Sequence, residues 1–365
     1  MSLRIRMVGA LPDPLRFWLR WAREAVKLVA CAAYDIGRYL RHSATVDPYG
    51  SKARFRATLQ KHQHIVEKGL SLPAPRPGFG VENIRLLTSE VAAYVERFGP
   101  DGLAAACVGA LRAYHAFNQR AGVASPVAIE VLAALEQRVF SRAALGGECA
   151  SEGCFGGVDW LRAADLEQAG RGGFEEVAGS RRSVRNFRSE VVPAAEVLAA
   201  TRVAQSTPSV CNRQAWRVHC YQGEDACRPL LEIQTGNRGF TETIKTLLIV
   251  TCRLSAFMSA GERNEAYIDG GMFSMSLVYA LHARGVGSCC LNLCLEPRDD
   301  RRFHLVGDIP DEEVLVMAIA IGYLPEALAI AQSKRGPVEE VLKFHTAEAK
   351  SGHGFGATTR AGSAS

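Results

Sequence analysis

Apolar residues recur at helical spacing almost from the start of the chain. Between residues 11 and 41, Leu15, Trp18, Leu19, Ala22, Val26, Val29, Ala33, Ile36 and Leu40 fall on one stripe, and Arg16, Arg20, Arg23, Lys27 and Arg38 cover much of the rest. This pattern predicts one long basic helix. Such a stripe is usually a docking face, on the helix's own protein or on a partner subunit. A basic helix carrying Phe17, Trp18 and Trp21 also suits an anionic membrane surface. Residues 51–71 read as a second helix. Residues 72–80 hold three prolines and two glycines and are expected as an extended, turn-rich loop. Helical patterns resume over residues 81–97, 102–121 and 125–142. Residues 1–150 are therefore expected to be a mostly helical N-terminal extension.

Beyond residues 170–173, four residues of which three are glycine, the pattern changes. Apolar runs rich in β-branched residues, with buried strands expected at 246–252 and 314–324, alternate with helical stretches. That alternation is an α+β or α/β signature. The expected organisation is a linker at 151–173, a second domain at 174–345, and a disordered Gly/Ala/Ser/Thr-rich tail at 346–365.

Composition narrows the function classes. An apolar share of 48% over 365 residues is ample for a large core. A net charge of +5 is too small for a dedicated nucleic-acid binder, but suits an anionic ligand such as a phosphate. The eleven cysteines are odd in number and show no framework spacing, and nothing resembles a signal peptide. A reducing, cytoplasmic setting is expected, with peripheral association at the inner face of the membrane if residues 11–41 lie on lipid. Neither Cys149 with Cys154 nor Cys289 with Cys290 and Cys294 has the partners of a zinc site, so packing thiols rather than a metal are expected.

Four segments carry chemistry. Residues 180–187 (SRRSVRNF) crowd arginine forks and serine hydroxyls together, which suits phosphate oxygens, although a solvated basic patch has the same composition. Residues 204–216 end in a polar turn in which Ser209, Asn212 and Gln214 can serve a ring edge of mixed donors and acceptors, or simply bond to one another. Residues 266–292 make an apolar helix, a Gly285–Ser288 turn and the run Leu291, Asn292, Leu293, where small residues permit close backbone approach to a ligand or tight packing. Residues 314–325 form a strand, and the basic pair Lys334 and Arg335 follows about ten residues later.

The order and spacing of these segments resemble the nitroreductase family of flavoproteins: RRSVR, PSxxNxQ, DGGM before a long helix, a GxGS turn, a strand ending IGY, and KR-x-P-x-E. The resemblance covers residues 174–345. It implies an α+β fold with a central antiparallel sheet flanked by helices, a homodimer, and FMN at the subunit interface. Arg181, Arg182, Ser183 and Arg185 would hold the phosphate, ribityl chain and ring edge, and Lys334 and Arg335 would close on the phosphate. Ser209, Asn212 and Gln214 would line the flavin from the turn, and Asn237 would meet its pyrimidine edge. Leu291, Asn292 and Leu293 would offer backbone N–H groups near the hydride-accepting nitrogen. Arg185 is the candidate for stabilising the reduced, anionic ring.

The implied activity is an FMN-dependent oxidoreductase that passes hydride from NADH or NADPH through the flavin to a small-molecule electron acceptor. No protein nucleophile is needed, because the cofactor carries the chemistry. Three positions depart from the family pattern. Ala215 replaces a usual proline, Asn292-Leu293 replaces a common Glu-Gly, and Ser276 stands where many members have Asn. Residues 61–80 and 236–240 further resemble a subgroup of longer nitroreductase-like proteins associated with polysaccharide biosynthesis. In that setting the alternative is an accessory protein, flavin-binding or flavin-free, without redox turnover. His62, His64 and Glu67 read either as a polar helix end or as groups reaching the flavin or a metal.

Overall fold

The computed structural model describes residues 12–42, 44–140 and 156–345. The expected tail at 346–365, and Cys149 with Cys154, lie outside the described residues. The chain divides into two compact units, Met1–Ser333 and Lys334–Ser365.

In the first unit, α1 (Asp13–His42) is the predicted long helix. Its apolar stripe does not dock along its own chain: Leu15, Trp18, Leu19, Val26, Val29 and Ile36 are all exposed. It is tied to the rest by an ion pair, with Asp35 accepting from Arg263 Nε at 2.8 Å and Nη2 at 2.9 Å, and by Arg54, which donates to the carbonyls of Arg41 and His42. No helix among the described residues is long and apolar enough to cross a membrane.

Four further helices, α2 (Lys52–Leu70), α3 (Val81–Phe98), α4 (Gly102–Arg120) and α5 (Ile129–Val139), pack on a shared core of Leu59, Val66, Leu87, Val91, Tyr94 and Val108. One carboxylate organises three of them. Asp101 caps α4 by accepting from the N–H groups of Leu103 and Ala104, each at 3.1 Å. It also accepts from Arg56 of α2 at 2.6 Å and from the Tyr94 hydroxyl of α3 at 2.7 Å. The proline loop between α2 and α3 is not helical, as its composition requires. It is pinned where Tyr114 donates to the Phe79 carbonyl at 2.7 Å and Gly78 N–H to the Asn118 side chain at 2.7 Å. Helix α5 starts later than expected, after Pro126.

The second half is α+β, as the pattern implies. Strands β2 (Trp216–Gln222), β3 (Thr246–Arg253), β4 (Val286–Leu291) and β5 (Glu313–Tyr323) form an antiparallel sheet in the order β2-β3-β5-β4. Both faces are covered, which explains why β3 reads as a continuous apolar run. Leu247 and Ile249 face α9 (Glu224–Ile233) and α11 (Pro297–Gly307). Leu248 and Val250 face α8 (Ala194–Ala204) and α10 (Glu265–His282).

The stretch expected as a linker contains β1 (Val158–Arg162), which pairs antiparallel with β6 (Ala327–Ala331), and α6 (Ala163–Gly170); after a short turn comes α7 (Phe174–Ser180). The Gly-rich composition of residues 146–179 hid a short strand whose partner lies more than 160 residues later in the sequence. The second unit, by itself, opens with Lys334 and Arg335 and contains the one-turn α12 (Val338–Val341).

Candidate functional site

The arginine-rich segment runs along the free edge of β4. Ser183 bridges Ser288, Val184 N–H donates to the Ser288 carbonyl at 2.9 Å, and Arg188 N–H donates to the Tyr323 carbonyl at 3.0 Å. Two glycines make this close approach possible. A Cβ on Gly322 would stand 2.7 Å from the Cβ of Phe187, and one on Gly287 would stand 2.6 Å from Leu324. The spacing of arginines along the segment then becomes a sidedness. Arg185 is 7% exposed, and its Nη1 is buried with no hydrogen-bond partner among the described residues. A buried, unsatisfied guanidinium nitrogen is costly, so this atom is fitted for an acceptor that a ligand supplies.

Arg181 and Arg182 are half-buried, and Arg182 reaches back to the carbonyls of Gly179 and Arg181 at 2.5 and 3.1 Å. Behind them, His282 Nε2 lies 2.8 Å from the Ser180 hydroxyl. Burial first, and then the charges of Arg181 and Arg182, hold His282 below its usual pKa.

The loop after β4 meets the same neighbourhood. Leu291 is buried, Asn292 is exposed, and the Asn292 carbonyl accepts from Gln234 Nε2 at 3.0 Å. Asn237 is 2% exposed and its amide serves its own loop. Its Nδ2 donates to the Leu231 carbonyl at 2.8 Å, to the Gln234 carbonyl, and to Gln234 Oε1 at 3.0 Å; its Oδ1 accepts from Thr241 at 2.6 Å. Gln234, which the sequence did not single out, is thus held at one end by Asn237 and holds the Asn292 backbone with the other.

The polar turn lies elsewhere. Ser209 Oγ accepts from Gln214 N–H at 2.9 Å, and Gln214 Nε2 donates to Asn212 Oδ1 at 3.0 Å. Cys211, Asn212 and Gln214 all have positive φ, at 48°, 54° and 48°. Ala215 suits this conformation, because a proline there would push residue 214 towards extended backbone. The turn is anchored from α10: buried Asp269 accepts from Val210 N–H at 3.2 Å, and Thr207 donates to Ser276 at 2.6 Å. Trp216 stacks on Phe273 with ring centroids 4.9 Å apart, and both line a cavity of about 320 Å³ with Gln214 and Arg217.

The predicted residues therefore fall into two groups. Arg181, Arg182, Ser183, Arg185, Leu291, Asn292 and Leu293 lie at the β4 edge. Ser209, Asn212 and Gln214 precede β2, the opposite edge of the four-stranded sheet. Three strand spacings, roughly 14 Å, separate those edges. Lys334 and Arg335 belong to the second unit.

Of the helical residues, His62 pairs with Glu90 at 2.6 Å, away from His64 and Glu67. Glu67 is 1% exposed and accepts from Gly157 N–H at 3.1 Å, Ser333 N–H at 3.3 Å and Gln63 Nε2 at 3.1 Å. Burial pushes its carboxyl above the usual range, and these donors pull it back. Lys68, one residue on, donates to the Gly236 carbonyl at 2.6 Å. Lys68 and Gly236 lie in the two stretches, 61–80 and 236–240, that the sequence marks together, but their bond is not readable there because the partner is a backbone atom 168 residues away.

Residues 178–233 and 223–323 match the model of the Nitroreductase family. No curated protein matches the chain. Among solved structures, the chain is similar to an NAD(P)H:FMN oxidoreductase from Staphylococcus epidermidis ATCC 12228, with 21% identity over 47% of this chain and 96% of that one, at a TM-score of 0.42. It is similar to a nitroreductase in complex with FMN from Exiguobacterium sibiricum 255-15, with 20% identity over 48% and 98% of the two chains, at a TM-score of 0.42. An FMN-dependent nitroreductase from Clostridium difficile R20291 gives 17% identity over 40% and 84%, at a TM-score of 0.36.

Proposed function

We propose, from the match of residues 178–233 and 223–323 to the Nitroreductase family model, that the protein is an FMN-dependent oxidoreductase that takes hydride from NADH or NADPH and delivers electrons to a small-molecule acceptor. The observation that carries this reading is Arg185, whose Nη1 is buried and without a partner among the described residues, beside a half-buried pair of arginines. When bound, FMN supplies the hydride and electron chemistry. The chain supplies anchoring and electrostatics. Arg181, Arg182 and Ser183 bind the phosphate and ribityl chain through charge-assisted bonds. Arg185 donates to the pyrimidine edge of the ring. The backbone at 291–293, steadied through Gln234, positions the reacting edge.

The separation of the two residue groups supports a homodimer, in which Ser209, Asn212 and Gln214 of a second copy complete each site. Closed two-fold association is the commonest way for one surface patch to meet another of its own kind.

An absorbance spectrum of the purified protein, taken before and after NADPH addition under argon, tests this. Flavin bands that bleach are the expected result. Protein that stays colourless after incubation with FMN would favour an accessory role without redox turnover. Replacing Arg181 and Ser183 together with Ala should strip the flavin, since each such contact is worth about 1.5–3 kcal/mol. Full FMN occupancy in that double variant would move the phosphate site elsewhere.

A further inference from the structure

We propose that Lys68, contributed by the helical N-terminal part, is a second cation of the flavin site and acts with Arg185 to stabilise the negative charge that reduction places on the ring. This rests on the flavin reading above. It goes beyond that reading by giving the N-terminal helices a share in the redox site.

Lys68 is fixed in position rather than waving from a surface. Its helix is tied down one residue earlier, where Glu67 grips the backbone at Gly157, just before β1, and at Ser333, just after β6. Its ammonium is held at 2.6 Å by the carbonyl of Gly236. That carbonyl immediately precedes Asn237, which orients Gln234, which in turn holds the Asn292 carbonyl. Lys68 therefore stands on the same bonded framework as the loop that faces the flavin's reacting edge.

The charges around Lys68 do not balance. Burial first, and then the Arg185 guanidinium, hold its pKa below the usual lysine value, with Arg238 adding to the effect. His64 is lowered by burial and by the same Arg185 and Lys68. One buried carboxylate, Glu67, feels the Arg185 charge and spends both oxygens on backbone donors and Gln63. Among the described residues no acid forms an ion pair with Lys68 or Arg185, and Arg185 keeps a buried nitrogen with no acceptor. With Lys68, Arg185 and Arg238 set against one buried carboxylate, positive charge is in excess, and an anion that arrives there relieves it.

A hydride brings two electrons and one proton to a neutral ring, so the ring gains one negative charge while the nicotinamide leaves oxidised. Cations placed where that charge develops favour the reduced form over the oxidised one. A lysine serving only to pack the loop would affect both forms alike.

The test uses the full-length protein with bound FMN and compares Lys68→Gln, which retains a donor for the Gly236 carbonyl, with Lys68→Arg. The readouts are the affinity for oxidised FMN and the two-electron midpoint potential measured with a reference dye. The expected result is near wild-type affinity for oxidised FMN in both variants. In Lys68→Gln the preference for the reduced form should fall about tenfold, equivalent to about 30 mV for a two-electron couple, and Lys68→Arg should restore it. An unchanged potential in Lys68→Gln, with flavin bound normally, would overturn the proposal while leaving the flavin reading intact. Equal weakening of both forms would also overturn it, because that marks a packing role. Wild-type protein that takes up no FMN would overturn both readings together.

Discussion

Three of the four residues between Cys211 and Gln214 have positive φ, a conformation that costs side-chain-bearing residues energy and persists only where surroundings enforce it. The enforcement comes from Ser209, which closes the turn, and from Asp269, which is wholly buried under Val210. Replacing Asp269 with Ala should leave that N–H without its acceptor, at about 1–3 kcal/mol. Hydrogen exchange should then rise across residues 206–214 while β3 stays protected. Unchanged exchange there would mean that the turn holds itself. The polar letters of this turn were legible in the sequence because the chemistry of Asn and Gln side chains is local. Its strain was not, since positive φ at three non-glycine positions is imposed by an aspartate more than 50 residues away. The same limit explains Asn237. An isolated amide reads as a ligand contact, and its side-chain nitrogen and oxygen also bond to neighbours in a loop that only the folded chain defines.

Between elements, two buried side chains do work that no periodicity encodes. Glu67 fastens α2 to one end of the small β1–β6 sheet, where the start of β1 lies beside the end of β6. Glu67→Ala would leave two backbone N–H groups unsatisfied and create a void, so it should lower the unfolding free energy by about 2–5 kcal/mol. Thermal unfolding followed by circular dichroism measures this, and a change within about 0.5 kcal/mol would show that the clamp is dispensable. His282 supplies a pH dependence. Its folded pKa lies below the usual 6.5, so near that pH the unfolded chain takes up a proton that the folded chain refuses. Stability is thus present above about pH 6.5 and declines as the pH falls towards the folded pKa. A melting temperature that drops less steeply between about pH 7 and pH 5 in His282→Gln is the expected outcome. Helices and long strands were readable because their apolar faces repeat. The β1 strand was missed because five exposed or half-buried residues in a Gly-rich stretch carry no repeat.

For the molecule as a whole, the antiparallel sheet and the helical extension follow the pattern closely. The stripe of the long first helix is open to solvent along most of its length, which removes docking on its own chain and leaves a partner subunit or an anionic membrane surface as its expected cover. The split of the candidate site across opposite sheet edges was invisible in the sequence, where all its motifs simply line up. Light scattering should give twice the 39.5 kDa of one chain. A sharper check mixes two defective proteins, Arg181→Ala/Ser183→Ala and Ser209→Ala/Asn212→Ala, under conditions of subunit exchange. Mixed dimers contain one intact site each, so flavin binding should return to about a quarter of the wild-type level. No recovery would mean that each chain builds its site alone.

Placing the halves of one site on opposite sheet edges also ties occupancy to mass action. Where a site forms only between two copies, dilution that separates the copies also releases the flavin, and added FMN draws the copies together by the same free energy. The yellow colour of this protein would then report its concentration as well as its cofactor content. Preparations compared at unequal dilution would differ in apparent affinity with no change in a single residue.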